Sequence, residues 1–320
     1  MKLIWREIAL SVVMAMVLPG ILLYWPVEES LPGETEFRPI DPQQSQTKVR
    51  LTMRLRKGDG TVEEMDMDEY LVGVVLAEMP STFALEAKKA QAVAARTFAR
   101  KAFVTGGKHG DGSVCAESSC CQAYLTCEKY LEMGGSEKAI ADAKTAVAAT
   151  SGYVLSFEGK LIEATYFSCS GGSTEDAVAV WGTDFPYLRA VDSPGEENAA
   201  HHEDTVQFTK QELEAKLEVK LTGNWLGRPT YTPGGGVDTI QIGGKTFTGK
   251  QLRSLLGLRS TAFSMEITGE GATITTKGFG HRVGMSQYGA DAMAVSGSSW
   301  QEILAYYYQG TTLELTNDPG

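Results

Sequence analysis

The sequence predicts an α+β fold in which helices and antiparallel hairpins surround a substrate groove. Segments of helical spacing and segments of alternating polarity follow one another without a regular βαβ rhythm, which argues against a doubly wound parallel sheet. The chain contains 35 glycines, many of them late in the sequence, as is typical of a fold with many turns and strand connections. Apolar residues make up 42% of the 320 residues, which is enough for a sizeable core.

Residues 1–26 are predicted to form an N-terminal transmembrane helix that anchors the protein. Lys2 and Arg6 precede an apolar run from Ile8 to Trp25, whose length is at the short end for a membrane span. The basic flank favours a cytoplasmic N-terminus, so the rest of the chain is expected outside the cytoplasm. A cleaved signal peptide is the alternative, but no small-x-small cleavage site follows the run. The basic flank also disfavours a buried core helix.

The chain after the anchor divides into a linker and a main domain. Residues 27–47 are polar and contain prolines, which is typical of a linker. Residues 48–320 are expected to form the main domain, with room for two subdomains that flank a groove. The net charge of −11 argues against a general nucleic-acid surface.

The alternation of apolar and charged side chains within residues 49–61 predicts a strand followed by a Gly-Asp-Gly turn. Asp68 is expected to cap a first helix, which Pro80 ends, and Ser81 or Thr82 to cap a second, alanine-rich helix that runs to about Val104. The remaining predicted elements are a helix at 135–150, a hairpin at 151–169 with its turn at Glu158-Gly159, a helix near Lys210–Leu221, a hairpin at 264–281 and two helices within 286–310.

The stretch "VLAEMP", residues 75–80, places one carboxylate in an apolar run at the end of the first helix. A desolvated Glu78 would have a raised pKa, because burial disfavours the charged form, and could donate a proton to a leaving oxygen. The alternative is a structural Glu at a helix end, facing water or paired with Lys88, Lys89 or Arg96.

Four of the five cysteines lie in one loop, together with a histidine. His109, Cys115 and Cys121 are spaced six residues apart, and Cys120 and Cys127 are nearby. Thiolates and an imidazole are suitable zinc ligands, although the spacing is not that of a CxxC knuckle. Disulfides remain the alternative for an exported chain, but five cysteines cannot all pair within it.

Two glycine-rich segments could also carry chemistry. In "YFSCSGGST", residues 166–174, Cys169 is either a nucleophile in a tight turn or part of a structural turn after a buried strand. In "GFGHRVGMSQYGADAMA", residues 278–294, His281 is followed by Ser286, Gln287 and Tyr288 at the start of a helix. This mixture of flexible backbone with polar and aromatic side chains suits a carbohydrate or peptide groove, and a structural turn is the alternative.

The motifs "VVLAEMP", "AKKAQAVAARTFA", "CCQAY", "SCSGGSTE", "VWGTDFPYLRAV", "LRSLLGLRSTAF" and "GFGHRVGMSQYGADAMA" occur in that order. Together they resemble the stage II sporulation protein D family of endospore-forming bacteria, from about residue 48 to the C-terminus. The resemblance also includes the single N-terminal span.

The resemblance implies a lytic transglycosylase that acts on peptidoglycan during engulfment of the forespore. Such an enzyme cleaves between N-acetylmuramic acid and N-acetylglucosamine and leaves a 1,6-anhydro end. The family's catalytic acid falls on Glu78. One acid suffices because the 6-hydroxyl of the sugar is the nucleophile, so the same side chain gives a proton and then recovers one. A hydrolase needs a second carboxylate to manage water.

Other site residues follow from the same resemblance. Lys89 and Arg96 match basic positions that matter for the family's activity. Because a cation beside Glu78 would lower its pKa, they are expected to contact substrate carboxylate or carbonyl groups instead. The family's zinc ligands fall on His109, Cys115 and Cys121 with the fourth left open, and the zinc is expected to be structural. The expected groove-lining residues are Ser168, Ser170, Gln287 and Tyr288.

The chain departs from the family at two of these positions. Phe167 stands where the family usually has a histidine, which puts a supporting role there in doubt, and Arg282 stands where a glycine is frequent. The family's partners are glycan strands, an amidase and a membrane protein, and its location is the cell membrane, with the catalytic domain between the mother-cell and forespore membranes.

Three alternative functions remain open at the level of sequence. A non-catalytic peptidoglycan-binding enhancer of an amidase would keep the groove but would not need the acid. A zinc amidase would require an open coordination position, whereas this loop is rich in thiolates. A cysteine hydrolase would use Cys169.

Overall fold

Helices and small, mainly antiparallel sheets alternate along residues 51–316, the part of the chain that the computed structural model describes. The α+β prediction is therefore confirmed. The anchor expected at residues 1–26 and the linker expected at 27–47 lie outside the described residues. Within 51–316, no helix has the length and apolar character that a membrane crossing requires.

The described elements follow in chain order. The helices are α1 (Met67–Glu78), α2 (Leu85–Thr105), α3 (Cys127–Glu132), α4 (Glu137–Ala149), α5 (Ala177–Trp181), α6 (Lys210–Leu217), α7 (Gly249–Leu256), α8 (Gln287–Val295) and α9 (Trp300–Tyr307). The strands are β1 (Thr52–Arg56), β2 (Val62–Asp66), β3 (Ser113–Cys115), β4 (Tyr153–Phe157), β5 (Lys160–Leu161), β6 (Tyr166–Phe167), β7 (Glu203–Thr209), β8 (Thr239–Ile242), β9 (Lys245–Thr248), β10 (Phe263–Thr268), β11 (Gly271–Lys277), β12 (Met285–Ser286) and β13 (Thr312–Leu315).

The larger core forms around α1 and α2. Tyr70, Leu71 and Val74 of α1 are fully buried, and so are most of the alanines of α2. Because an alanine face lets neighbouring backbones approach closely, α2 contacts α1, α4, α8, α9 and strand β4. The strands at its margins form the sheets β2-β1-β3 and β13-β4-β5.

A second, separate core lies within residues 203–277. The antiparallel sheet β10-β11-β7 and the hairpin β8-β9 enclose it together with α6 and α7. Its buried side chains include Leu213, Ile240, Phe247, Leu252 and Ile274.

The predicted helix caps are corrected by two or three residues. Asp66, not Asp68, caps α1 and accepts hydrogen bonds from the amides of Asp68 and Glu69. Neither Ser81 nor Thr82 caps α2, which starts after Ala84. The amide of Ala84 donates instead to Asp291 Oδ1 of α8, at 2.7 Å, so a distant element supplies the acceptor that a local side chain was expected to supply.

The hairpins agree with the prediction, and the C-terminal strand was not predicted. Glu158 and Gly159 form the β4-β5 turn with φ angles of 50° and 72°, which is the left-handed conformation that short hairpin turns require. Strands β10 and β11 form the late hairpin. β13 pairs with β4, an arrangement that local pattern does not reveal because the two strands are about 160 residues apart in the chain.

Arg96 is buried at the junction of three elements and does not reach the surface. Its Nη1 donates to the carbonyl of Thr150 at 2.7 Å and its Nη2 lies 3.2 Å from Asp68 Oδ1, while the carbonyls of Val147 and Tyr153 accept further bonds. The guanidinium thus satisfies carbonyls at the C-terminus of α4. The expected substrate contact of Arg96 is corrected, because this side chain has no exposed surface.

We expect Arg96→Ala to destabilise the fold by about 3–5 kcal/mol, because the substitution removes the cation that pairs with the partly buried Asp68 carboxylate and the donor that several buried carbonyls share. Urea denaturation measures the difference. Lys57→Ala removes an exposed pair with Glu63 and should leave stability almost unchanged, because solvent screens such a pair. Equal effects of the two substitutions would contradict the structural role of Arg96.

Candidate functional site

Glu78 is the last residue of α1, and its side chain is half-buried. The amide of Ala123 donates to its Oε1 at 2.7 Å, and Gln287 Nε2 lies 3.4 Å from its Oε2. Burial raises the pKa of Glu78 above its ordinary value, although both hydrogen bonds act in the opposite direction. The carboxyl group therefore holds its proton to a higher pH than an ordinary glutamate does.

The basic side chains considered as partners of Glu78 are engaged elsewhere. Lys88 donates to the carbonyl of Ser81 at 2.8 Å, and Lys89 pairs with Glu86 at 2.6 Å. Arg96 pairs with Asp68, as described above. The alternative that Glu78 forms an ion pair with Lys88, Lys89 or Arg96 is therefore wrong. A substrate contact of Lys89 stays a prediction.

A buried polar network lies behind the loop that binds Glu78. The side chain of Gln122 donates to the Tyr70 hydroxyl at 3.1 Å and accepts from the Tyr166 hydroxyl at 2.7 Å. Burial raises the pKa of both phenols, so they remain neutral. The network fixes Gln122 from both sides and thereby fixes the adjacent Ala123 amide that binds Glu78.

Of the four residues expected to line the groove, Gln287 contacts Glu78 directly. Ser168 and Tyr288 lie near Gln287, because they follow the parallel strands β6 and β12. The Tyr288 amide donates to the Ser168 carbonyl at 3.1 Å. Ser170 is corrected: it is fully buried, and its hydroxyl and amide donate to Glu196 at 2.9 and 2.6 Å. It cannot line a groove.

Four potential metal ligands converge in the loop between α2 and α3. His109, Cys115, Cys120 and Cys121 place one donor atom each within 4.8 Å of one another. The distances from His109 Nε2 to the Cys121 and Cys120 sulfurs are 3.5 and 3.9 Å, and the two sulfurs are 3.9 Å apart. Tetrahedral zinc with bonds of about 2.3 Å to sulfur requires ligand separations of about 3.8 Å. The donor set therefore fits a structural zinc ion.

Cys120 is the fourth member of this set. The sequence had indicated the other three residues and left the fourth ligand open. Cys127 lies outside it, at the first position of α3. All five cysteines are free thiols, so no disulfide competes with the cluster. Burial raises the pKa of the Cys121 thiol, and a bound cation would lower it again.

Cys169 has the surroundings of a buried structural thiol. Its Sγ donates to Glu196 Oε2 at 3.0 Å, and burial together with this carboxylate raises its pKa to about 12. An activated nucleophile requires a lowered pKa and access to substrate. The cysteine-hydrolase alternative is therefore wrong.

The two departures from the family pattern occupy buried positions. Phe167 packs near the ring of His281, with the ring centres 5.7 Å apart. Arg282 adopts a left-handed conformation with φ of 65°, and its guanidinium donates to the carbonyls of Ser170, Ser173 and Gly234. Arg282 thus joins the 170–173 turn to a loop of residues 203–277 and is not exposed to a groove.

A cleft of about 460 Å³ lies next to the polar network and was not predicted. Gln122 and Tyr166 line the cleft, but Glu78 does not. Gln122, which lines the cleft, is followed directly by Ala123, whose amide binds Glu78. Trp181, Phe185 and His281 form much of its wall. These residues come from separate segments, so no local motif marks the cleft.

Comparison with known proteins identifies relatives over most of the chain. A protein-family model described as stage II sporulation protein matches residues 56–157. Stage II sporulation protein D of Bacillus subtilis is 41% identical over 264 residues, which cover 81% of this chain and 77% of the relative. The protein of the same name from Bacillus amyloliquefaciens is 40% identical, with 87% and 82% covered. An amidase enhancer of Bacillus subtilis is 29% identical, with 76% and 40% covered.

The raised pKa of Glu78 has a measurable cost for stability. As pH rises above the ordinary Glu value, the unfolded chain loses its proton before the folded protein does, so the free energy of unfolding falls until the folded pKa is passed. Glu78→Gln cannot ionise and keeps the acceptor for Ala123. We expect this variant and wild type to be equally stable near pH 4. At pH 8 the variant should have the larger free energy of unfolding, by about 1.4 kcal/mol for each unit by which the folded pKa of Glu78 is raised.

Thermal or urea unfolding at several pH values measures this difference. Glu69→Gln, an exposed position on the same helix, serves as the control and should show no comparable trend. A stability gap between Glu78→Gln and wild type that does not change from pH 4 to pH 8 would refute the desolvation of Glu78.

Proposed function

Because the chain belongs to the stage II sporulation protein D family, we propose that it is a peptidoglycan lytic transglycosylase with Glu78 as its acid–base residue. The observation that carries the proposal is the environment of this carboxyl group. It is half-buried, bound by one amide and one carboxamide, and unpaired with the neighbouring cations Lys88, Lys89 and Arg96. Such a group can exchange a proton in both directions.

The reaction needs one proton donor and no added water. Protonated Glu78 gives its proton to the glycosidic oxygen as the bond from the anomeric carbon of N-acetylmuramic acid to that oxygen breaks. The 6-hydroxyl oxygen of the same sugar attacks the anomeric carbon and closes the 1,6-anhydro ring. The Glu78 carboxylate takes the proton of that hydroxyl, which restores the acid.

The contacts of Glu78 suit both halves of this cycle. The Ala123 amide stabilises the carboxylate that exists between the two proton transfers, while burial keeps its pKa high enough for the return of the proton. The hydrogen bond from Gln287 orients the second carboxylate oxygen. A cation at this position would shift the balance towards the carboxylate and weaken the acid.

The main rival is a non-catalytic peptidoglycan-binding enhancer of an amidase, a role that the name of one relative suggests. A binding module gains nothing from a desolvated carboxyl group that lowers its stability, so the site favours the enzyme. A zinc amidase is disfavoured because four protein ligands leave no open position in a tetrahedral site.

We also propose that His109, Cys115, Cys120 and Cys121 hold a structural zinc ion. Bound zinc would supply cross-linking of the loop rather than chemistry on the substrate. Cys120 and Cys121 directly precede Gln122 and Ala123, so the ligands constrain the amide that donates to Glu78. Lys108, whose ammonium group contacts the Cys120 carbonyl, adds to the order of the loop.

The remaining parts of the proposal concern location and partners. The protein acts in sporulation at the cell membrane, anchored by residues 1–26, with its catalytic domain between the mother-cell and forespore membranes. Its substrate is the glycan strand of peptidoglycan, and it works with an amidase and a membrane protein of the engulfment machinery. No part of this role involves nucleic acid.

Glu78→Gln should reduce the formation of anhydro products from purified glycan strands by roughly 10²–10⁴-fold or more, because it removes the only proton donor that the mechanism uses. Mass spectrometry of the products measures the loss. Glu69→Gln should retain full activity. Turnover that persists in a folded Glu78→Gln or Glu78→Ala protein would refute the mechanism, and wild-type protein that stimulates an amidase without cleaving glycan would favour the rival.

Metal analysis should find about one zinc ion per chain. Cys120→Ser should lower the zinc content and the melting temperature, because Cys120 belongs to the cluster. Cys127→Ser should change neither, because Cys127 lies outside the cluster. Removal of the metal should also accelerate hydrogen exchange of the Ala123 amide. The absence of zinc from protein purified without chelators, together with unchanged properties of Cys120→Ser, would rule out the metal site.

A further inference from the structure

Gln91 is a fully buried carboxamide of α2 that contacts Gln287, a hydrogen-bond donor to Glu78. Gln287 Nε2 is 3.4 Å from Glu78 Oε2 and also 3.4 Å from Gln91 Oε1. An amide nitrogen carries two hydrogens, so the same group can donate to both oxygens. Gln91 therefore supplies a second acceptor, which keeps the nitrogen of Gln287, and not its oxygen, turned towards the acid.

The nitrogen of the Gln91 carboxamide faces the Tyr166 hydroxyl. Burial raises the pKa of this phenol, and the contact with the Gln91 side chain acts in the opposite direction, as a donor beside the phenol oxygen does. Gln91 Nε2 is buried, and among the described residues it has no acceptor in ordinary hydrogen-bond geometry, so this contact is a long one. A buried donor without a close acceptor costs free energy, and hydrogen bonds of substrate-free active sites often tighten when substrate binds.

A backbone carbonyl sets the direction of this chain of contacts. Gln122 Nε2 lies 3.5 Å from the carbonyl oxygen of Ala95, and a carbonyl can only accept. The Gln122 oxygen therefore faces the other way and accepts from the Tyr166 hydroxyl at 2.7 Å. Because its proton is already used, the Tyr166 oxygen is left as an acceptor for Gln91 Nε2. The Gln91 oxygen then faces Gln287.

The direction of the chain decides which form of Glu78 the Gln287 carboxamide favours. Burial raises the pKa of Glu78, and the hydrogen bonds from Ala123 and Gln287 lower it. A reversed Gln287 carboxamide would present its oxygen, which repels a carboxylate and accepts from the protonated acid. Either the loss or the reversal of the Gln287 donor would therefore raise the pKa of Glu78 further.

The titratable groups on the neighbouring elements do not replace this control. The phenols of Tyr70 and Tyr166 stay neutral beside Glu78, because burial raises the pKa of both. Helix α8 contributes Tyr288 and also Asp291, whose carboxylate accepts the amide at the start of α2. Other groups on these elements are cations of α2 that bind elsewhere and thiols of the potential metal cluster, namely Lys88, Lys89, Arg96, Cys120 and Cys121.

We propose that Gln91 is a positioning residue, which fixes the direction of the hydrogen bond from Gln287 so that this carboxamide always donates to Glu78. The inference rests on the proposed function, because it assigns a further residue to the acid–base step. Gln91 has no exposed surface and cannot touch a glycan. It therefore controls the strength of the acid and not the binding of substrate.

The titration of Glu78 is measured in full-length protein by carbon NMR of labelled glutamate carboxyl groups, and Glu78→Gln identifies the signal. Gln91→Met keeps the length of the side chain and removes its acceptor and its donor. The Glu78 signal of this variant should titrate at a higher pH than in wild type, because the Gln287 donor is lost or reversed. Gln287→Met should show the same change. The double variant should titrate no higher than Gln287→Met, since Gln91 acts through Gln287.

Two further variants separate positioning from general effects of a buried substitution. Tyr166→Phe removes the oxygen that faces Gln91 Nε2 with little change of shape, and it should shift the Glu78 titration in the same direction. Thr97→Val removes other buried hydrogen bonds of α2, those with Val93 and Leu155, and should lower stability without any shift.

Turnover of purified glycan strands gives a second readout. Gln91→Met should lower kcat for anhydro products by about tenfold, because a weaker acid donates its proton less readily, and should leave KM nearly unchanged. The loss of activity at high pH should move to higher pH than in wild type, since the group that must be protonated keeps its proton longer.

An unchanged Glu78 titration in folded Gln91→Met and Tyr166→Phe proteins would overturn the positioning role, and so would shifts that simply add in the double variant. The titration does not depend on turnover, so the proposed function is tested separately. Protein that shows these shifts but forms no anhydro product would retain the control of Glu78 by Gln91 and remove the enzyme. Protein that cleaves glycan without these shifts would retain the enzyme and remove the role of Gln91.

Discussion

The hydrogen bond from the Ala123 amide to Glu78 Oε1 is the contact on which the candidate site depends. It joins the end of the buried helix α1 to the segment that follows the four potential metal ligands. On one side of Ala123, Gln122 is held between two buried phenols, and before it come two cysteines of the four-ligand cluster. The position of this backbone N–H is therefore fixed by a hydrogen-bond network and lies next to the proposed metal ligands, and the N–H is one of the two donors that stabilise the Glu78 carboxylate.

Burial and hydrogen bonding act on the pKa of Glu78 in opposite directions, and this balance suits the proposed acid–base role, in which the group both loses and regains a proton. An entirely apolar pocket would keep the proton on the acid, while an adjacent cation would keep it off. The positions of the nearby basic residues follow the same logic: Arg96 supports the C-terminus of α4, and Lys89 pairs with Glu86, whose second oxygen accepts the amide of Trp300 at the start of α9. Basic residues around the site thus stabilise the elements that carry it, without contacting the acid.

Much of the fold and part of the site follow from local sequence. The periodicity of α1 and α2, the hairpin turns and the carboxylate in "VLAEMP" are local features, and the structure agrees with them. The choice of Cys120 over Cys127 depends on the short turn in which the amides of Cys120 and Cys121 both donate to Glu117, which the residue spacing does not reveal. The burial of Ser170 depends on Glu196, and the cleft depends on segments around residues 108, 166, 181 and 281. These features arise from contacts between distant segments, and one sequence read locally contains no signal for them.

The capping of α2 by Asp291 has a consequence for how the chain acquires its structure. The first turn of this central helix is completed by a side chain 207 residues later, and Glu86 in the same turn accepts from Trp300. Strand β4 likewise pairs with β13 near the C-terminus. During synthesis the N-terminal half therefore emerges from the ribosome long before the groups that complete its central helix. We expect its stable folding to wait until nearly the whole polypeptide has been made.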